Sequence, residues 1–295
     1  MRFALRQLIC FIYGYGHFRT SEAHFSRFDR FLRYVKAFGV RDFRDITRPH
    51  VIDYAKELRR AIDDGELSVS YANNLLSSVN HLLSHLRNDH KLRVNAYEYL
   101  PRRSYVLSEM PDVTREKIQA GIDDLDKHDN PLMAASFTLI NAFGLRLKES
   151  ILCDLDRLKS EAMTGFVTIL EGTKGGRRCN SRKIEVTPER MAAIDYAIER
   201  RPAGSKNLLA RGRTYIQFLR SEVKKGRAIL KGNGINKYKD LRSYFFMEMF
   251  EMVTGLQAPI KDPNTLKDPR CLEGFKIVAL AAGHYRASVT RSYVG

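Results

Sequence analysis

A histidine and a tyrosine stand nine residues apart in the stretch Ala282-Gly283-His284-Tyr285-Arg286-Ala287-Ser288-Val289-Thr290-Arg291-Ser292-Tyr293. Neither side chain is rare, and the pair alone specifies no chemistry. Three dispersed basic residues upstream, Arg146, Lys174 and Arg242, complete a set suited to attack on a phosphodiester. Each fragment taken singly has an ordinary reading. Arg146 precedes Glu149 by three residues, the spacing of a helix-surface ion pair. Lys239 and Arg242, three apart, share one helix face.

The glycine-rich stretch Glu171-Gly172-Thr173-Lys174-Gly175-Gly176 leads into a basic cluster. Between Gly172 and Ile184 stand Lys174, Arg177, Arg178, Arg182 and Lys183, with no acid among them. Such a hairpin tip either reaches a phosphate backbone or a groove, or is a solvated turn. It lacks the GxxxxGK[ST] spacing and does not join a strand to a helix, which argues against a nucleotide-binding loop. His81 and His85 have metal-ligand spacing but no third ligand, so a solvated or DNA-facing helix is expected there. Arg27, Arg30 and Arg33 lie between the aromatics Phe25, Phe28 and Phe31, on a wet face or a DNA-facing one. Arg102 and Arg103 add positive charge to the loop at 100–113, and they join the candidate DNA contacts.

These residues need a scaffold, and its elements can be read from periodicity. Residues 3–14 fit a helix. Thr20 or Ser21 is expected to cap a second, with Phe25, Phe28, Phe31, Leu32 and Val35 at helical spacing. Thr47, with Pro49 in the first turn, starts a third, and Ser68 or Ser70 a fourth. The proline-bearing loop at 100–113 reads as a linker. Thr114 and Pro131 open further helices, and Gly144 breaks the chain before Arg146. Strand signals occur at 166–170 and 182–186, joined by the basic turn. Thr187-Pro188 starts another helix, followed by helices near 211–225, 238–252 and 271–282. Residues 255–270, with three prolines, are expected as an exposed loop. The fold class is mainly α with a small antiparallel sheet. The expected division is a helical DNA-binding domain at 1–103, a linker at 104–113, and a mixed α/β domain at 114–295.

The chain has 295 residues, 44% hydrophobic, with a formal net charge of +16 and a pI of about 9.7. Disorder is not the default for such a composition, and a polyanionic partner is favoured, nucleic acid before membrane. Cys10, Cys153, Cys179 and Cys271 are scattered without CxxC spacing, so free thiols are expected rather than a disulfide or zinc framework. The apolar run Leu8–Tyr13 is too short for a membrane span and lacks a cleavage pattern. A soluble, cytoplasmic, nucleoid-associated protein is the expectation.

Taken together, Gly-Leu-Arg-x-x-Glu, a hairpin lysine, Leu-Arg, and Gly-His with tyrosine nine residues later resemble the tyrosine recombinase (phage integrase) family. The resemblance spans most of the chain. It implies a helical core-binding domain followed by a catalytic domain. It also implies site-specific cleavage and rejoining of double-stranded DNA through a 3′-phosphotyrosine, with no metal, ATP or other cofactor. By that resemblance Arg146 and Arg242 hold the scissile phosphate, where a fixed guanidinium fork offsets transition-state charge. Glu149 orients the site. Lys174 protonates the leaving 5′-oxygen. His284 binds the phosphate or assists proton transfer, and Tyr293 is the nucleophile. The working form would be a homotetramer on a specific attachment site, with a monomer in free solution.

The chain departs from the family pattern at two places. Lys239 stands where the family usually has histidine, and a lysine with pKa about 10.4 is a poor base. The sequence stops two residues after Tyr293, so a mobile, undocked Tyr293 is expected. Two alternatives share this scaffold: a type IB topoisomerase-like nicking-closing enzyme, and a DNA-binding architectural protein with impaired catalysis.

Overall fold

The computed structural model describes residues 1–174 and 180–295. Among them the chain forms two compact units, Met1–Ser104 and Tyr105–Gly295.

The first unit is helical: α1 (Arg2–Tyr13), α2 (Phe18–Ala37), α3 (Arg48–Asp63), α4 (Val69–Arg87) and the short α5 (Ala96–Tyr99). Each long helix turns one stripe inward. Phe28, Phe31, Leu32 and Val35 of α2 meet Val51, Tyr54 and Leu58 of α3 and Leu75, Val79 and Leu82 of α4 in one core. The phenylalanine stripe is thus packing, with Phe28 and Phe31 fully buried. Thr47 caps α3 with Pro49 in its first turn, and the Ser68 hydroxyl accepts from the Tyr71 amide at 3.2 Å to start α4.

Helix α2 starts at Phe18 rather than at Thr20 or Ser21, with His17 before it and no side-chain cap. Its first turn is exposed, so no apolar period marks it in the sequence. His81 finds its partner within the bundle, with Nε2 at 2.9 Å from the Tyr13 hydroxyl. The His81 and His85 rings meet edge-on at 4.7 Å.

The second unit holds α6 (Arg115–Lys127), α7 (Pro131–Phe143), α8 (Leu147–Leu152), α9 (Leu155–Ala162), β1 (Phe166–Thr168), β2 (Lys183–Glu185) and α10 (Pro188–Arg200). It continues with α11 (Tyr215–Phe218), a π-turn at Leu219–Val223, α12 (Lys224–Gly232), α13 (Tyr238–Thr254), α14 (Pro269–Ala281) and α15 (Arg291–Val294). Helix α7 is apolar nearly all round and packs against α6, α10 and α13. Its Phe137 and Phe143 share one core with Phe246 and Phe250 of α13. Each such ring, fully buried, contributes about 1.5–3 kcal/mol. Residues 105–113, part of the expected linker, pack with this unit: Val113 joins the core and the Leu107 amide donates to the Arg291 carbonyl at 2.8 Å.

The described residues form a two-stranded antiparallel sheet, with Val167 opposite Ile184 and Thr168 opposite Lys183. The strands are shorter than expected, although the Ile169 amide still donates to the Arg182 carbonyl at 3.2 Å. Val167 and Ile184 point inward while Phe166, Lys183 and Glu185 point out. The expected exposed loop at 255–270 is partly built in. It carries a 3₁₀ turn at Pro263–Lys267, and Ala258 and Thr265 are buried. The helix expected at 211–225 runs instead from Tyr215 through the π-turn to Gly232. No described helix is long and apolar enough to cross a membrane.

Candidate active site

Helix α7 ends at Gly144, whose φ of 58° is a left-handed C-cap. The chain then turns through Arg146 into α8. Glu149, at the third position of that helix, reaches back and accepts the Arg146 amide at 2.7 Å. It also accepts Arg146 Nη1 at 2.6 Å. Its side chain is wholly buried, so the carboxylate must be paired to persist.

A second cation pairs it from the buried side. Arg182 donates Nη1 and Nη2 to the two Glu149 oxygens at 2.8 and 3.0 Å. Burial alone raises the Glu149 pKa. The Arg182 hydrogen bonds and charge, then the Arg146 and Arg242 charges, outweigh it and hold the carboxyl down at about 2.

The three guanidiniums also share the carbonyl end of α14. Arg182 Nε donates to the Ala281 carbonyl at 2.9 Å, and Arg242 Nη2 and Arg146 Nη2 donate to that of Ala282 at 2.6 and 3.2 Å. The last carbonyls of a helix lack intrahelical partners and form its negative end, so they suit cations. Arg242 comes from α13, is only 4% exposed, and spends Nη1 on the Gly144 carbonyl. Burial first, with Arg146 and Arg182 adding to it against Tyr293 and Glu149, lowers its pKa to about 10, so it stays charged at neutral pH. Three guanidiniums against one carboxylate leave two net positive charges at this site.

Gly283, at φ 74°, turns the chain out of α14, and His284 follows with its amide on the Ala279 carbonyl at 2.8 Å. The His284 pKa falls to about 4, through burial first and then the charges of Arg146, Arg242, Arg182 and Lys174. It is neutral at pH 7. Its Nε2 lies 3.1 Å from the Tyr293 hydroxyl and 3.4 Å from Arg146 Nη2. The same hydroxyl accepts Arg242 Nε at 3.2 Å.

Tyr293 is therefore docked, contrary to the expectation of a mobile residue. It is 6% exposed, and its ring packs on Phe246 with centroids 5.0 Å apart. The segment around it supplies its own anchors. Ile260 donates its amide to the Val294 carbonyl at 2.9 Å, Val294 is fully buried, and the Thr290 hydroxyl donates to the Phe275 carbonyl at 2.8 Å.

Arg146, Lys174, Arg182 and His284 line one cavity of about 290 Å³. Lys174 is exposed at its rim, just after Gly172. Lys239 is exposed on the first turn of α13 and is not among the residues that meet the Tyr293 hydroxyl. Of the residues expected to face DNA, Lys183 is exposed on β2, whereas Arg177 and Arg178 lie outside the described residues, as does Cys179.

Arg182 corrects the expectation that the whole basic cluster faces DNA. It is 2% exposed because it stands just before β2, two residues from Ile184 and in phase with that strand's inward face. Strand alternation was the available signal, and the run of positive charge obscured it. In the first unit Arg102 and Arg103 are exposed, Arg102 over the Tyr97 ring at 5.3 Å and Arg103 donating to Asn74 at 3.3 Å.

No curated protein matches the chain. Among solved structures, one titled as the crystal structure of XerA recombinase superposes with a TM-score of 0.42 at 16% identity. That alignment covers 99% of this chain and 92% of the other. Residues 108–246 match the family model described as Integrase. The matched stretch holds Arg146, Glu149, Lys174, Lys239 and Arg242, and His284 and Tyr293, beyond it, close on Arg242 and Arg146. Over residues 108–246 the chain is thus similar to the family described as Integrase.

Proposed function

We propose that this protein cleaves and rejoins double-stranded DNA at a specific site through a 3′-phosphotyrosine on Tyr293, without metal or ATP. The observation that carries the reading is the Tyr293 hydroxyl held between Arg242 Nε and His284 Nε2, beside a cavity lined by further cations. The phenolic oxygen attacks phosphorus, and the bond from phosphorus to the 5′-oxygen breaks. Neutral His284 accepts the phenolic proton, and an incoming phosphate offsets the arginine charges that depress its basicity. Lys174 gives a proton to the departing 5′-oxygen. Arg146 and Arg242 offset the charge that builds on the non-bridging oxygens, and two net positive charges match a dianionic transition state. The phosphotyrosine keeps the bond energy, so religation by the 5′-hydroxyl needs no nucleotide.

Lys183, Arg102 and Arg103, with Arg177 and Arg178, would contact the DNA backbone. Exchange between two duplexes uses four such sites, so the working assembly is a homotetramer on DNA.

The test is a duplex carrying a nick beside the cleavage position, drawn from a library of candidate attachment sites. Wild-type protein should form a covalent adduct stable to denaturant and insensitive to chelator. Tyr293→Phe should form none. Wild-type protein that binds the DNA but forms no adduct would instead be a DNA-binding protein on a recombinase scaffold.

A further inference from the structure

We propose that Arg182 is a positioning residue for cleavage: it neutralises Glu149 from the buried side, leaving Arg146 and Arg242 free to engage the scissile phosphate. The inference rests on the reading of this site as a DNA-cleaving one.

Three observations carry it. Arg182 is 2% exposed and each of its three nitrogens donates to a protein acceptor, a Glu149 oxygen or the Ala281 carbonyl, so it acts through Glu149 rather than on DNA. Glu149 touches both other arginines, at 2.6 Å to Arg146 Nη1 and 3.8 Å to Arg242 Nη1. Without Arg182, a fully buried carboxylate would draw those two guanidiniums inward, away from a phosphate in the cavity. Finally, Arg182 ties three elements together. Its carbonyl pairs with Ile169 in the hairpin that carries Lys174, its guanidinium holds the start of α8, and its shaft lies against the exit of α14. At that exit a Cβ on Gly283 would come within 3.1 Å of Arg182 Cδ.

The experiment compares wild type, Arg182→Gln and the double variant Glu149→Gln/Arg182→Gln, whose buried pair is uncharged. Adduct formation on the nicked duplex is measured beside DNA affinity. Arg182→Gln should slow adduct formation by about 10- to 100-fold, the usual scale for a supporting partner, with little change in affinity. The double variant should recover most of that loss, because the uncompensated carboxylate is gone. Losses that multiply in the double variant would overturn the proposal. So would an affinity loss equal to the rate loss, since Arg182 would then be touching phosphate.

A second readout does not depend on cleavage. Inorganic phosphate is titrated in while the His284 ring is followed by NMR. Wild type and the double variant should bind phosphate alike, and Arg182→Gln more weakly; equal binding in all three, or a double variant no better than the single, overturns the assignment. Wild-type protein that forms no adduct yet shows this phosphate pattern would fail the functional reading while supporting the positioning role.

Discussion

Tyr293 presents its hydroxyl 3.1 Å from His284 Nε2, and the same oxygen receives Arg242 Nε at 3.2 Å. The phenol is thereby polarised from both sides before any DNA arrives: a neutral imidazole faces its proton and a buried cation faces its oxygen. Phe246 fixes the ring, and the Val294 carbonyl, paired with the Ile260 amide, fixes the backbone behind it. A nucleophile already oriented loses little entropy at the moment of attack.

The state of His284 makes a pH prediction. Burial and four neighbouring cations hold its folded pKa at about 4, against an ordinary 6.5. As pH falls below about 6.5 the unfolded chain takes up a proton that the folded chain refuses. The stability due to neutral His284 is therefore complete above that pH and is lost by about pH 4. Melting temperature should drop more steeply across this window in wild type than in His284→Gln. Glu149, held at about 2 against an ordinary 4.5, withdraws its contribution at lower pH, so the two losses are largely separable. A His284 ring that titrates near 6.5 by NMR in DNA-free protein would refute the prediction.

Lys174 is exposed at the rim of the cavity that Arg146 and His284 line. If it protonates the leaving oxygen, Lys174→Ala should slow adduct formation by about 10²- to 10⁴-fold. A substrate with a 5′-bridging sulfur leaves without that proton, and should restore most of the rate. A variant equally slow on both substrates would remove Lys174 from the acid role.

Much of this arrangement was legible in the chain because local physics decides it. Thr47, Thr114 and Thr187 each cap the helix they are expected to start, and of Ser68 and Ser70 it is Ser68 that caps α4. Glu149 three residues after Arg146 was readable as a pair, although not as the buried hub of three arginines. What failed to show depended on distant partners. Arg182 was hidden among surface-like charges, since only its pairing with Glu149, thirty-three residues away, makes burial tolerable. The seating of Tyr293 depends on Phe246 and Ile260, which no local pattern links to it. The 255–270 segment has too few apolar residues to show a period, yet Ala258 and Thr265 tuck it against the core.

Arg146 and Arg242 should separate in stability while agreeing in chemistry. Arg242 is buried and holds the Gly144 and Ala282 carbonyls; Arg146 still reaches the Ala282 carbonyl, so Arg242→Ala removes the Gly144 carbonyl's donor and leaves a void, costing about 2–4 kcal/mol. Arg146 is 26% exposed at its side chain, and Glu149 keeps Arg182 when it is gone, so Arg146→Ala should cost about 1 kcal/mol or less. Both should slow adduct formation by at least about 10²-fold, the loss of a transition-state donor. Thermal melts beside trapping rates check this. Arg242→Ala melting like wild type would contradict the burial argument.

The approach of the hairpin to α8 gives a test through backbone alone. Gly172 has φ 69°, and a Cβ there would lie 2.5 Å from the Lys148 carbonyl oxygen and 2.9 Å from Glu149 Cα. Both obstacles are main chain, so neither can rotate away. Gly165, before the first strand, also has positive φ, at 88°, but a Cβ on it meets nothing within 4 Å. Gly165→Ala therefore carries only the left-handed strain, about 1 kcal/mol. Gly172→Ala carries that strain plus a collision that must lift the hairpin, about 2–4 kcal/mol in all. Because Lys174 rides two residues on, Gly172→Ala should also slow adduct formation, and the 5′-bridging sulfur should recover part of that rate. Gly165→Ala should cleave at close to the wild-type rate. Equal melts and equal rates for the two variants would mean that the close packing of Gly172 on Lys148 does not set the position of Lys174.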